Sequence, residues 1–232
     1  GEFALFGMFA RADYAYDNKY LFTGIVRRDG VSRFSESNRY GVFPSFSLGW
    51  RLSEEGFMEK TRDWLDDLKL RVGYGITGNS EIPVATNFAN IFSTSTTSTN
   101  YDITASNTSE QTGYRLATYG NSTTKWEKNK MVNVGIDATF AGGKFGGTFE
   151  WYNKKTSDML YNYSVPTPTY VYGTIAANVG DMSNKGIEVQ LNLDVIRNKT
   201  FNWNSSINLS HNKNEITKLS NDLYSTDRVY VG

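Results

Sequence analysis

Between residues 27 and 79 the chain alternates twice with a period of two. Val42, Pro44, Phe46, Leu48, Trp50 and Leu52 fall on one side, and Phe43, Ser45, Ser47, Gly49, Arg51 and Ser53 on the other. Leu68, Leu70, Val72, Tyr74 and Ile76 then oppose Lys69, Arg71, Gly73, Gly75 and Thr77. Successive side chains of a strand point to opposite faces, so each segment is a strand with one apolar side and one polar or small side. Each has about the length of a tilted membrane-crossing strand, roughly 9–11 residues. The same pattern recurs over residues 6–16, 132–140, 145–152, 187–195 and 201–210, with a further strand over residues 20–28 whose two faces are less distinct. Residues 53–67 read as a compact turn with one short amphipathic helix, because Phe57, Trp64, Leu65 and Leu68 recur near helical spacing.

The connections decide what the apolar faces meet. Those near residues 17–19, 54–67, 141–144 and 197–200 are compact, whereas those near 29–40, 78–125 and 154–183 are long, and the two kinds alternate. In an antiparallel meander every second connection lies at the same end, so all compact turns share one end. Membrane β-barrels have short periplasmic turns and long extracellular loops. Aromatic residues collect beside the compact turns: Tyr14, Tyr16, Tyr20, Trp50, Phe140, Phe145, Phe201 and Trp203. An interfacial girdle is expected there. The polar faces are rich in Gly, Ser, Asn and Thr, too small to fill the interior of a closed eight-stranded barrel. The expectation is an all-β, antiparallel up-and-down transmembrane β-barrel, of which this chain supplies about eight strands of a wider one.

Composition excludes several other classes. Among 232 residues, 24 basic side chains balance 24 acidic ones, which removes the electrostatic case for nucleic acid. There is no cysteine and only one histidine, His211, so disulfides, thiol catalysis and multi-histidine metal sites are absent from the reading. No spacing of a nucleophile elbow, phosphate loop or metal-ligand set occurs. The chain is expected to be no enzyme and to need no cofactor or metal.

Five longer runs carry a family resemblance. YDNKYLFTGIVRRDGVSRFSESNRYGVFPSFSLGWRLSEEGFM and WLDDLKLRVGYGITGN, followed by WEKNKMVNVGID, WYNKKTSDMLY and NVGDMSNKGIEVQLN, resemble the barrel of the SusC/RagA-type TonB-dependent outer-membrane transporters of Bacteroidetes. The resemblance implies a barrel of about 22 strands plugged by an amino-terminal domain, in the cell outer membrane. It implies nutrient uptake of the oligosaccharide or peptide class, a TonB complex as energy source and a SusD-like surface lipoprotein as lid. Residues 1–232 are then expected to be a partial receptor barrel with no plug and no TonB box, in which 78–125 is a long extracellular Ser/Thr-rich loop. Alone, such a segment is expected to transport nothing.

Candidate site residues follow from position. Arg27, Arg28, Asp29 and Arg33 fall where the second strand meets a long loop, as a polar ring beside a substrate path or as Arg–Asp pairing that fixes the loop. Tyr101, Tyr114, Tyr119, Tyr170 and Tyr172 lie in the long loops, where their rings suit stacking on sugars or packing against other loops or the lid. The acids Asp137, Glu150, Glu188 and Asp194 fall on polar faces and read as solvated wall residues. The competing reading is a β-rich surface adhesin or carbohydrate-binding module, for which two face-packed sheets would be required.

Overall fold

The computed structural model describes residues 3–81, 88–94, 100–101, 111–164 and 174–218. Eight long strands dominate it: β1 (Leu5–Tyr16), β2 (Tyr20–Val31), β3 (Tyr40–Arg51), β4 (Leu65–Asn79), β5 (Glu127–Phe140), β6 (Phe145–Ser157), β7 (Asp181–Arg197) and β8 (Asn202–Lys218). They form one antiparallel sheet in chain order, so each strand pairs with the next. β1 and β8 are its two edges, and no closed barrel is formed among the described residues.

The register aligns the apolar sides into continuous rows. Tyr14, Phe22, Leu48, Val72, Val134, Trp151 and Ile187 are successive cross-strand partners from β1 to β7. All seven are exposed, and nothing among the described residues covers them. The opposite face carries the row Asp13, Thr23, Ser47, Gly73, Asn133, Tyr152, Gly186 and Asn212. A water-soluble sheet buries its apolar face and hydrates the other. Here the apolar face is left bare, which rules out the two face-packed sheets of a sandwich among the described residues.

The compact turns lie at one end. Asp17 and Asn18 take positive φ (50° and 54°) in the β1–β2 turn, a conformation that Asp and Asn tolerate better than other side chains. The β5–β6 turn runs through Ala141, Gly142 and Gly143, also at positive φ. Between β3 and β4 the expected amphipathic helix is instead two 3-10 turns, Leu52–Glu54 and Gly56–Thr61. The near-helical spacing arose because Leu65 and Leu68 already belong to β4, where a register shift between Leu65 and Asp67 disturbs strict alternation. Leu65 is buried, while Phe57 and Trp64 stay exposed.

At the opposite end the strands run well past the alternating segments. β4 and β5 stay paired up to Asn79 and Glu127, and β7 and β8 up to Asp181 and Lys218. Short ribbons decorate the loops there: Ile91–Ser93 with Arg115–Thr118, Asn100–Tyr101 with Gln111–Thr112, and Leu160–Ser164 with Thr174–Asn178.

Candidate functional site

The loop end holds the only sizeable apolar core among the described residues. Val31, Phe34, Phe43, Trp126, Leu160 and Ala176 cluster there, with Ile76 packed against them. The β3–β4 ladder ends at Ser45 and Gly75, which opens a gap between the two strands. Phe43, the large apolar residue in the otherwise small and polar series of β3, lies in this region against Gly41 and Gly78. Trp126 meets Phe43 edge-on at 5.3 Å and Phe34 at 5.7 Å between ring centroids. Its indole Nε1 donates to the Arg39 carbonyl at 3.1 Å.

Polar clips then tie three loops to this core. Ser35 Oγ donates to the Ser122 carbonyl at 2.8 Å, joining loop 32–39 to the segment before β5. Asn121 Nδ2 donates to the Ala176 carbonyl at 3.0 Å. Asn178 accepts from the Lys125 amide at 2.9 Å and donates to the carbonyls of Lys125 and Asp158 at 2.9 and 2.7 Å. Lys125 pairs with Asp158 at 3.1 Å, and Glu127 accepts from the Leu160 amide at 3.1 Å. A short amide side chain that bonds backbone on two segments replaces the ladder those segments lack. The loops therefore form one braced platform at this end of the sheet.

Strand alternation divides the rim residues. Arg27 and Asp29 share the polar face, where Arg27 Nε donates to both Asp29 oxygens at 2.6–2.7 Å. Arg28 points to the apolar side, its guanidinium 4.6 Å from the centre of the Tyr40 ring. Arg33, in the following loop, lies 3.8 Å over the Phe3 ring. These four residues thus do not form one ring. Among the tyrosines, Tyr101 and Tyr114 are exposed, at 52% and 78%, and Tyr119 is half-buried. Tyr170 and Tyr172 lie outside the described residues.

Lower on the polar face sits a charged cluster. Arg71 Nε and Nη2 hold the two oxygens of Asp137 at 2.6 and 3.0 Å, and Nη2 reaches Glu150 at 3.4 Å. Thr148 and Asn133 donate to Asp137 and Glu150 at 3.2 Å each. Gly135, the cross-strand partner of Arg71, leaves the space the guanidinium occupies. Glu188 lies opposite Glu150 on β7. Sequence reading reached these acids but missed Arg71 as their common partner, since the pairing depends on β4 adjoining β5 across the long loop.

At the compact end the aromatic residues are tied to the turn. Tyr16, Tyr20 and Trp50 follow one another at 6.4 Å, and Trp64 stacks on Phe140 at 5.9 Å. Glu55 accepts from Tyr20 Oη at 2.6 Å and Trp50 Nε1 at 3.0 Å. Those two donors, Tyr20 first, hold its carboxyl below the ordinary value of 4.5, with help from the nearby Lys19. Lys19 is raised in turn, chiefly by its bond to Asp17.

A bare apolar face, a polar face with charged clusters, compact turns at one end and braced loops at the other make this an antiparallel sheet of the kind found in large β-barrels. Residues 1–230 match the family model described as TonB dependent receptor-like, beta-barrel. The chain belongs to the SusC/RagA-type TonB-dependent outer-membrane transporter family, a family of transporters rather than enzymes. It is 38% identical to the TonB-dependent receptor SusC of Bacteroides thetaiotaomicron over 93% of this chain and 21% of that protein. To the TonB-dependent receptor P39 of Formosa agariphila it is 36% identical, over 94% of this chain and 20% of the relative. The RagAB peptide importer in its closed-closed state superposes with a TM-score of 0.82 at 30% identity, over 97% of this chain and 23% of that one. The FrpB iron transporter from Neisseria meningitidis shares the fold alone, with a TM-score of 0.57 at 16% identity over 94% of this chain and 27% of the other. The chain spans about a fifth of the length of the curated relatives it matches.

Proposed function

We propose that this chain is a strip of wall and outer vestibule in an energy-coupled nutrient importer of the oligosaccharide or peptide class. In this reading its sheet is closed by further strands into a barrel of about 22, and its apolar rows face lipid. The charged polar face lines the lumen, where a plug rearranged by the TonB complex sits. The braced loop platform frames the mouth, against which a SusD-like lipoprotein closes. Exposed loop tyrosines such as Tyr101 and Tyr114 offer faces for substrate stacking. The observation that carries the reading is the unbroken exposed apolar row across seven strands, backed by a polar face with Arg71, Asp137 and Glu150. A surface adhesin or carbohydrate-binding module has no reason to leave such a row bare.

The test compares adjacent positions on β7. Leu191 lies on the apolar face and Asn192 on the polar one. Arginine at Leu191 is expected to cost about 2–4 kcal/mol in a bilayer refolding titration of the full receptor, with arginine at Asn192 far milder. Equal tolerance at both positions would remove the lipid-facing assignment. Uptake of labelled oligosaccharides or peptides by cells lacking and regaining the receptor then identifies the substrate class.

A further inference from the structure

The apolar face of β5–β8 ends in lysine. On β5 the last apolar residue toward the loops is Val132 and the next on that face is Lys130. On β6 Trp151 is followed by Asn153 and Lys155, on β7 Ile187 by Lys185, and on β8 Leu209 by His211 and Lys213. The register has no shift through these positions, so all of them share the face of the apolar rows. The boundary steps along the sheet: the row of Val132 continues as Asn153, Lys185 and Lys213, whereas the row below, Val134, Trp151 and Ile187, is still apolar. Tilted strands that cross a flat boundary produce such a step.

Two features make this more than a solvated edge. Lys130 is the direct cross-strand partner of Lys155, and Lys185 that of Lys213. Like charges placed directly opposite on a sheet destabilise it. Lys213 is relieved by Glu215 at 3.0 Å. Lys130, Lys155 and Lys185 are exposed and have no carboxylate partner among the described residues. An anion held between the paired ammonium groups removes the repulsion, and a phosphate at the top of an acyl-chain layer sits at that height.

We propose that Lys130, Lys155 and Lys185, with Lys213 beside them, form a docking face for the phosphates of an anionic lipid in the outer leaflet. Its acyl chains lie on Trp151, Ile187 and Leu209. This rests on the wall reading above, and a single experiment separates the two. The full-length receptor is incorporated in phosphatidylcholine nanodiscs containing either bisphosphorylated lipid A or its dephosphorylated form. Retained lipid is counted by native mass spectrometry after transfer to detergent. A fluorophore on Leu191→Cys reports quenching by spin-labelled acyl chains. The receptor is expected to retain the phosphorylated lipid at least about tenfold over the phosphate-free form. The variant Lys130→Gln/Lys155→Gln/Lys185→Gln loses that preference, the corresponding arginine variant keeps it, and the Leu191 label is quenched throughout. Equal retention of both lipids by the unmodified receptor overturns the docking face even if the glutamine variant fails to assemble. So does an unchanged preference in that variant. In both cases a quenched label leaves the wall reading standing. An unquenched label overturns the wall reading and the docking face with it.

Discussion

Trp126 ties the aromatic core of the loop platform to a loop backbone. It fills the space between Phe34 and Phe43 and satisfies the Arg39 carbonyl, at 7% exposure. Truncating a buried Trp or Phe to alanine costs about 3–5 kcal/mol, and here the loss falls on the loops, because the wall ladder does not pass through it. Trp126→Ala is expected to expose loop 32–39 to protease on intact cells while the receptor keeps its heat-modifiable migration. Loss of both would mean that the platform nucleates the wall. Glu55 answers a different question at the other end. Its carboxyl is held low by Tyr20 and Trp50, so the stabilisation it gives the turn is fully present above the ordinary value of 4.5. It is lost as the pH falls through the depressed folded value below that. Hydrogen exchange in segment 52–64 is expected to accelerate only in that acidic window, and Glu55→Gln to reduce the step.

At the scale of elements, the junction of β3 and β4 is where packing takes over from hydrogen bonding. Past Ser45 and Gly75 the two strands no longer pair, and the Phe43 ring lies against Gly78 instead. A β-carbon at Gly78 would run into that ring, whereas one at Gly56 meets nothing. Gly78→Val is expected to cost about 1–3 kcal/mol through displaced packing, read as a lower thermal midpoint of the full receptor. Gly56→Ala serves as the neutral comparison. The strand cores were legible in the sequence because a sheet with one apolar and one polar face imposes alternation. The strand ends were not. From Lys130 and Lys185 toward the loops the apolar series stops, and the pattern fades although the ladder continues to Glu127 and Asp181.

For the molecule as a whole, the decisive feature is that the sheet has two edges. Among the described residues β1 and β8 each leave one row of backbone groups unpaired, and such a row costs several kcal/mol per group in hydrocarbon. Residues 1–232 expressed alone are expected to give no heat-modifiable band and no protease-protected species in liposomes, whereas the full receptor gives both. Protection of the isolated segment would show that its edges find each other. The same openness explains why the polar face is so thinly filled: Gly73, Ser47 and Asn133 line a surface that nothing among the described residues covers.

By itself the sequence determined the number of wall strands, their order of faces, the end that carries the loops and the family. Each of these is a local or periodic property, and alternation plus turn chemistry write it directly into the chain. Only the tertiary structure decided that Arg71 holds Asp137 and Glu150, and that Trp126, Asn121 and Asn178 brace three loops into one platform. Those contacts join residues separated by long loops, and the pairing of β4 with β5, which brings them together, leaves no periodic trace in the residues it joins.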